Sequence, residues 1–144
     1  LVDNDYLGMS GIVGEFDGYL APTLGDLDSD GDDDIVIADK RGYLYFWENK
    51  AGAGNTYQFD NFIYQYKGIK PGSNCKPAIY DLDGDGLNDL IVGEKNENTN
   101  PETGIFGGLS FYRNEGVIGE PEFYSKQDTL SNTNTTKGPK SFQK

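Results

Sequence analysis

Histidine is absent from this sequence, and cysteine occurs once, as Cys75. Without histidine the usual general base, the Ser-His and Cys-His nucleophile pairs and most zinc or iron sites are excluded. One cysteine can build neither an internal disulfide nor a thiolate zinc centre, so Cys75 is expected to be a small buried filler. Positive charge is scarce too: 12 Lys and Arg stand against 24 Asp and Glu, a formal net charge of −12. Nucleic acid is bound through clustered Lys and Arg, and is therefore not an expected partner. No run approaches the ~18 consecutive apolar residues of a membrane-spanning helix, so no membrane span is expected. No signal peptide is visible and the first residue is Leu1 rather than Met, which suggests an excised or processed piece of a longer protein.

What is present points to strands. The 144 residues are enough for one domain with a real core. Apolar residues make up only 35%, but aromatics reach 13%, with ten Tyr and eight Phe, and 20 Gly supply frequent turns. With no long helical periodicity, this composition predicts an all-β chain.

The acidic residues are not scattered. Six of the 24 fall in "DLDSDGDDD" (26–34) and four in "DLDGDGLND" (81–89). The two segments sit in an internal repeat, "APTLGDLDSDGDDDIVIADKRGYLYFWEN" against "KPAIYDLDGDGLNDLIVGEK" and "GGLSFYRNEG". Pro22 matches Pro77, Asp26 matches Asp81 and Ile35-Val36 matches Leu90-Ile91 at an offset of 55. Leu44 then matches Leu109, Phe46 matches Phe111 and Asn49 matches Asn114 at an offset of 65. The difference is an insertion within 96–106, polar and Pro-containing, as expected of a surface turn or of a loop lengthened to meet a ligand.

Each unit reads as short strands. "PTLGDL" leads into the acidic loop, and "DIVIAD" leaves it as a strand buried on both faces. "YLYFWEN" is apolar or aromatic on both faces, so both must be covered, as in stacked blades. A fourth strand is expected around 57–66, with "PEFYSKQ" (121–127) as its counterpart. Four strands per unit of ~50 residues fit a β-propeller blade, and two units cannot close a ring of ~4 to 8. The expected organisation is the end of a preceding blade at 1–20, a blade at 21–75 with loop 26–34, and a second blade at 76–137 with loop 81–89 and insertion 96–106. The start of a further repeat is expected at 138–144. The fold expected is thus all-β: a partial propeller of two to three four-stranded blades from a larger ring.

The spacing "DxDxDGxxD" suits a cation. Side chains at loop positions 1, 3 and 5 converge when the backbone curls, Gly at position 6 permits the sharp turn, the carbonyl at position 7 faces the same centre, and a carboxylate at position 9 completes the cage. The candidate ligands are Asp26, Asp28, Asp30, the carbonyl of Asp32 and Asp34. In the second copy they are Asp81, Asp83, Asp85, the carbonyl of Leu87 and Asp89. Asp33 and Asn88, at position 8, are expected to face solvent. An all-oxygen set of at least five ligands favours Ca²⁺ over Zn²⁺, copper or Mg²⁺. Bound Ca²⁺ also converts the mutual repulsion of the carboxylates into coordination. An EF-hand would need a bidentate acid at position 12, where the sequence has Ile37 and Val92, and helical flanks, where it has strands.

On these residues the chain resembles the FG-GAP/VCBS repeat family. Pro22 and Pro77, the two acidic loops, "DIVIAD" with "DLIVGE", and "YFWEN" with "FYRNEG" carry the resemblance. It runs from about Ala21 through Phe123. The "FG…GAP" wording itself is missing, with only Phe106–Gly108 echoing it. The phrase "LGDLDSDGDDDIVIADKRGYLYFWENKAGAGN" looks especially like repeats of large Bacteroidetes surface proteins exported by type IX secretion. "DTL" (128–130) similarly resembles the O-glycosylation sequon of that phylum, with Thr129 as acceptor. The resemblance implies a seven-bladed-type propeller with Ca²⁺ in the loops joining the first two strands of each blade. It also implies a location outside the cell or at its surface.

A cage of saturated oxygen ligands with no base or nucleophile implies a non-enzymatic, Ca²⁺-stabilised scaffold for adhesion or ligand binding. Its expected partners are a protein or glycan ligand and the remaining blades of the parent chain. The alternatives are a carbohydrate-binding or carbohydrate-active domain, with an exposed Trp47 and the 96–106 insertion as sugar contacts, and a secretion cargo segment bound to transport machinery.

Overall fold

The computed structural model describes Leu7 and residues 19–60, 62–95 and 107–123. Within them the chain forms two antiparallel sheets. The first joins β1 (Leu20–Gly25), β2 (Asp34–Asp39), β3 (Leu44–Trp47) and β4 (Ile63–Tyr64) in that order; the second joins β5 (Ser73–Tyr80), β6 (Asp89–Lys95) and β7 (Gly107–Tyr112). The architecture is all-β, with two sheets consistent with blades of a partial propeller. Each acidic loop connects the first two strands of its sheet, as the repeat predicts.

The alternation of side chains along a strand decides how the sheets stack. Val36, Ala38, Leu44 and Phe46 lie on one face of the first sheet. They pack with Cys75, Leu90, Val92 and Tyr112 of the second sheet and with Leu27, Tyr66 and Ile69. The opposite face presents Ile35, Ile37, Tyr45 and Trp47, which pack with Leu7, Leu20, Tyr43, Phe59 and Phe62. β2 is therefore buried at every position, as its continuous apolar run predicts, and so is β3. Each such Val, Leu or Phe contributes roughly 1.5–3 kcal/mol when fully removed from water. The stack is reinforced by Phe46 and Tyr66, whose rings lie 4.4 Å apart and nearly parallel. Cys75 is a buried member of this core, and its thiol donates to the Gly72 carbonyl at 2.6 Å.

The fourth strand of the first sheet is shorter than expected. Only Ile63–Tyr64 pairs continuously with β3, and Phe59 forms an isolated bridge with Asn49. The strand ends because Gln65 and Lys67 adopt left-handed backbone (φ 52° and 51°) and turn the chain into a 3-10 turn, Tyr66–Gly68. In the second unit Phe123 bridges Asn114, while 124–127 lie outside the described residues. The expected preceding blade apart from Leu7, Tyr19 and Leu20, the 96–106 insertion, Thr129 and the repeat start at 138–144 lie outside them as well.

Trp47 does not match the exposed sugar platform considered for it. It is 1% exposed, its indole N–H donates to the Leu7 carbonyl at 3.2 Å, and Phe62 covers it at a ring separation of 5.2 Å. The reason is positional: Trp47 shares a face with Ile35 in the central pairing of β2 and β3.

Candidate metal centre

Both acidic loops curl through short side-chain-to-backbone hydrogen bonds, the habit that makes Asp common in tight turns. In the first, Asp26 accepts from the Gly31 N–H at 3.0 Å, Asp28 from the Asp30 N–H at 3.2 Å and Asp30 from the Asp32 N–H at 3.2 Å. In the second, Asp81 accepts from the N–H groups of Gly84 and Gly86 at 2.7 and 3.0 Å, and Asp85 from the Leu87 N–H at 3.0 Å. Gly31 and Gly86, at position 6, take φ of 103° and 92°, a region that disfavours a side chain.

The curl brings carboxylates together. In the first loop, oxygens of Asp26, Asp28 and Asp34 lie within 4.8 Å of one another; in the second, oxygens of Asp81, Asp83 and Asp85 do. Asp30 is exposed and is not among the first group. Asp89 is buried and outside the second, with its two oxygens accepting from the N–H groups of Leu82 and Asn114 at 3.0 and 2.9 Å. Asp34 makes the equivalent bonds, to Leu27 and Asn49 at 3.0 and 2.9 Å. Position 9 therefore clamps the loop to the chain just beyond β3 or β7, at Asn49 or Asn114. Asp32 contributes more than a backbone carbonyl: its side chain is buried and neither carboxylate oxygen has a hydrogen-bond partner, nor does Oδ1 of Asp26. Leu87, its counterpart, is half-buried.

Buried anions without counter-charge hold their protons more tightly. Burial, and secondarily the charge of Asp30, raises the pKa of Asp28, and burial raises those of Asp26 and Asp89. Burial also pushes Asp34 up to about 7, against the lowering effect of its backbone bonds. Asp85 goes the other way, lowered first by the Leu87 N–H and then by Arg113. The first loop is thus the more buried cluster of carboxylates, with unmet acceptor capacity, and the second is more exposed and already neutralised in part. Oxygen-only donors with unsatisfied lone pairs are the chemistry that a hard divalent cation meets, and the residues present fit Ca²⁺.

Three residues around the loops escaped the sequence reading. Asn49 and Asn114 occupy equivalent places and are buried. Each side-chain carbonyl accepts two N–H groups, from Ala51 and Gln58 at 3.2 and 3.0 Å, or from Gly116 and Glu122, both at 3.1 Å. Each amide donates to the carbonyl of loop position 8, Asp33 at 3.2 Å or Asn88 at 3.1 Å. The available signal was their recurrence at the offset of 65. Asn114→Ala would remove the side-chain partner of three part-buried backbone groups and is expected to cost about 2 kcal/mol in urea unfolding; a loss under about 0.5 kcal/mol would contradict this role.

Asn88 is the third. Asp33 is exposed as expected, but the Asn88 side chain does not simply face solvent: it donates to the Asp26 carbonyl at 2.6 Å, and its N–H reaches the Ser29 hydroxyl at 3.4 Å. Gly119 also donates to the Asp28 carbonyl at 2.6 Å. The second unit thereby encloses the first loop, which explains why that loop is the more buried one.

Comparison with known proteins agrees with this geometry. Residues 26–92 match the FG-GAP-like repeat. Integrin alpha ina-1 of Caenorhabditis elegans is 31% identical over 123 residues, covering 81% of this chain but only 10% of that protein's length. No solved structure matches. The paired acidic loops and their antiparallel sheets accord with the FG-GAP-like repeat matched over residues 26–92 and with the distant similarity to an integrin α chain, repeats that are structural, non-catalytic modules.

Proposed function

We propose that the chain is a Ca²⁺-stabilised segment of a β-propeller that serves as an adhesion or ligand-binding scaffold in a secreted or cell-surface protein. The observation that carries this reading is the more buried first loop, where Asp26, Asp28 and Asp34 converge and Oδ1 of Asp26 has no hydrogen-bond partner. Asp26, Asp28, Asp30, the Asp32 carbonyl and Asp34 would hold one ion. Asp81, Asp83, Asp85, the Leu87 carbonyl and Asp89 would hold the other. The ions supply no chemistry beyond charge neutralisation and cross-linking of the loop, which keeps the ends of β1 and β2, and of β5 and β6, in register.

Extracellular calcium modules work at ~10⁻⁴ to 10⁻³ M, a concentration met outside cells, and the integrin similarity supports the same location. The partners in this reading are neighbouring blades of the parent chain and a protein or glycan ligand. A Bacteroidetes parent exported by type IX secretion is supported by the wording of the first repeat alone. Calorimetric titration with Ca²⁺ tests the proposal. The native chain should take up Ca²⁺ and the Asp28→Ala/Asp83→Ala double variant should not. Equal uptake by both, or none by either, would sink it.

A further inference from the structure

The two loops share a skeleton but not their surroundings. At the end of β7, Arg113 turns its guanidinium onto the second loop: Nε lies 2.7 Å from Asp83 Oδ2 and a terminal nitrogen lies 3.0 Å from Asp85 Oδ2. Asp83 and Asp85 are two of the three carboxylates that converge there. The equivalent residue of the first unit, at the offset of 65, is Glu48. The charge order around the recurring asparagine is in fact reversed, Glu48-Asn49-Lys50 against Arg113-Asn114-Glu115. Lys50, the cation on the first loop's side, is ion-paired with Glu48 and reaches Asp28 only through its field, as the weakest of the influences on that carboxylate. Among the described residues, no ion pair ties a cation to the first loop's carboxylates.

From this asymmetry we infer that Arg113 is a tethered counter-ion of the second loop, which makes that loop the weaker of two unequal calcium sites. The inference rests on the calcium reading and deepens it. A divalent ion entering the second loop must displace the guanidinium from Asp83 and Asp85 and then tolerate its positive charge nearby. Entering the first loop, it meets carboxylates enclosed by Asn88 and Gly119 and displaces no side-chain cation. Two partly exposed ion pairs, together with the residual repulsion, amount to about a tenfold difference in affinity. Arginine suits this role because its planar fork engages two carboxylates at once, whereas a lysine offers a single point charge. The same contact lets the second loop keep its shape when calcium is low, since its repulsion is already partly relieved.

The experiment is a Ca²⁺ titration of the whole chain by calorimetry at low ionic strength, where screening is weakest. Wild type should show two classes of site. Asp83→Asn should remove the weaker class and Asp28→Asn the tighter one. Arg113→Gln should tighten the weaker class about tenfold while leaving the tighter class unchanged, and Arg113→Lys should fall between. The Arg113 side chain is 41% exposed, so these variants keep the core intact. Equal sites in wild type, loss of the tighter class in Asp83→Asn, or an unchanged isotherm in Arg113→Gln would overturn this inference while leaving the calcium reading in place. Absence of all binding in wild type would overturn both.

Discussion

In about 10 mM Ca²⁺ the chain should melt about 10 °C higher than in excess EGTA. A site with a dissociation constant of ~10⁻⁴ M is then held at ~100 times that value, and binding to the folded state alone adds about 2.7 kcal/mol. For a chain of this size each kcal/mol moves the midpoint by about 4 °C. Asp28→Ala should abolish most of the shift, because Asp28 is 3% exposed and one of the three carboxylates that meet in the first loop. The same substitution should not lower the midpoint in EGTA, since it removes one of several mutually repelling buried anions. Mg²⁺ at equal concentration should give a smaller shift, as it demands stricter octahedral geometry and gives up water reluctantly. Scanning calorimetry reads all three, and superimposed curves with and without Ca²⁺ would remove the cation from the account of this fold.

The second large effect lies away from the loops. Gly42→Ala should cost about 4 kcal/mol in urea unfolding. Gly42 closes the turn between β2 and β3, donating to the Asp39 carbonyl at 3.1 Å, with φ of 87°. An L side chain in that region costs about 1–2 kcal/mol. Here its Cβ would also run into the carbonyl of Gly72, a backbone group that cannot rotate away. Overpacking of this kind adds about 1–3 kcal/mol. Gly72 sits at the junction of the two units, where the Asn74 N–H donates to the Lys40 carbonyl at 2.8 Å, so relief of the clash would have to pry the sheets apart. Gly54→Ala is the control: its φ is 79° but its Cβ would meet nothing, and the cost should stay near about 1–2 kcal/mol. Equal effects of the two substitutions would show that the junction does not resist.

Much of this was legible in the residues because the information is local. A run of alternating aspartates with glycine at position 6 needs only its own backbone to curl, so both loops could be placed from spacing alone. "DIVIAD" announces a strand buried on both faces because every residue of its apolar core must find cover. The extent of the first unit's fourth strand was not legible. "YQFDNFIYQY" has the aromatic content of a strand, but whether it pairs depends on β3 as a neighbour and on the left-handed turn at Gln65. Trp47 misled for a related reason: an aromatic side chain looks the same in sequence whether a neighbouring layer covers it or not.

By itself, then, the sequence determined the strand–loop–strand repeat and the aspartate-rich, histidine-free make-up of its loops, because each follows from residue type and short-range spacing. Only the tertiary structure decided which carboxylates are buried, which carry a counter-ion and what joins the units. Asn88 meets Asp26 across 62 positions of chain and Arg113 meets Asp85 across 28. Such contacts depend on how one sheet stacks on the next, and no local pattern encodes that register.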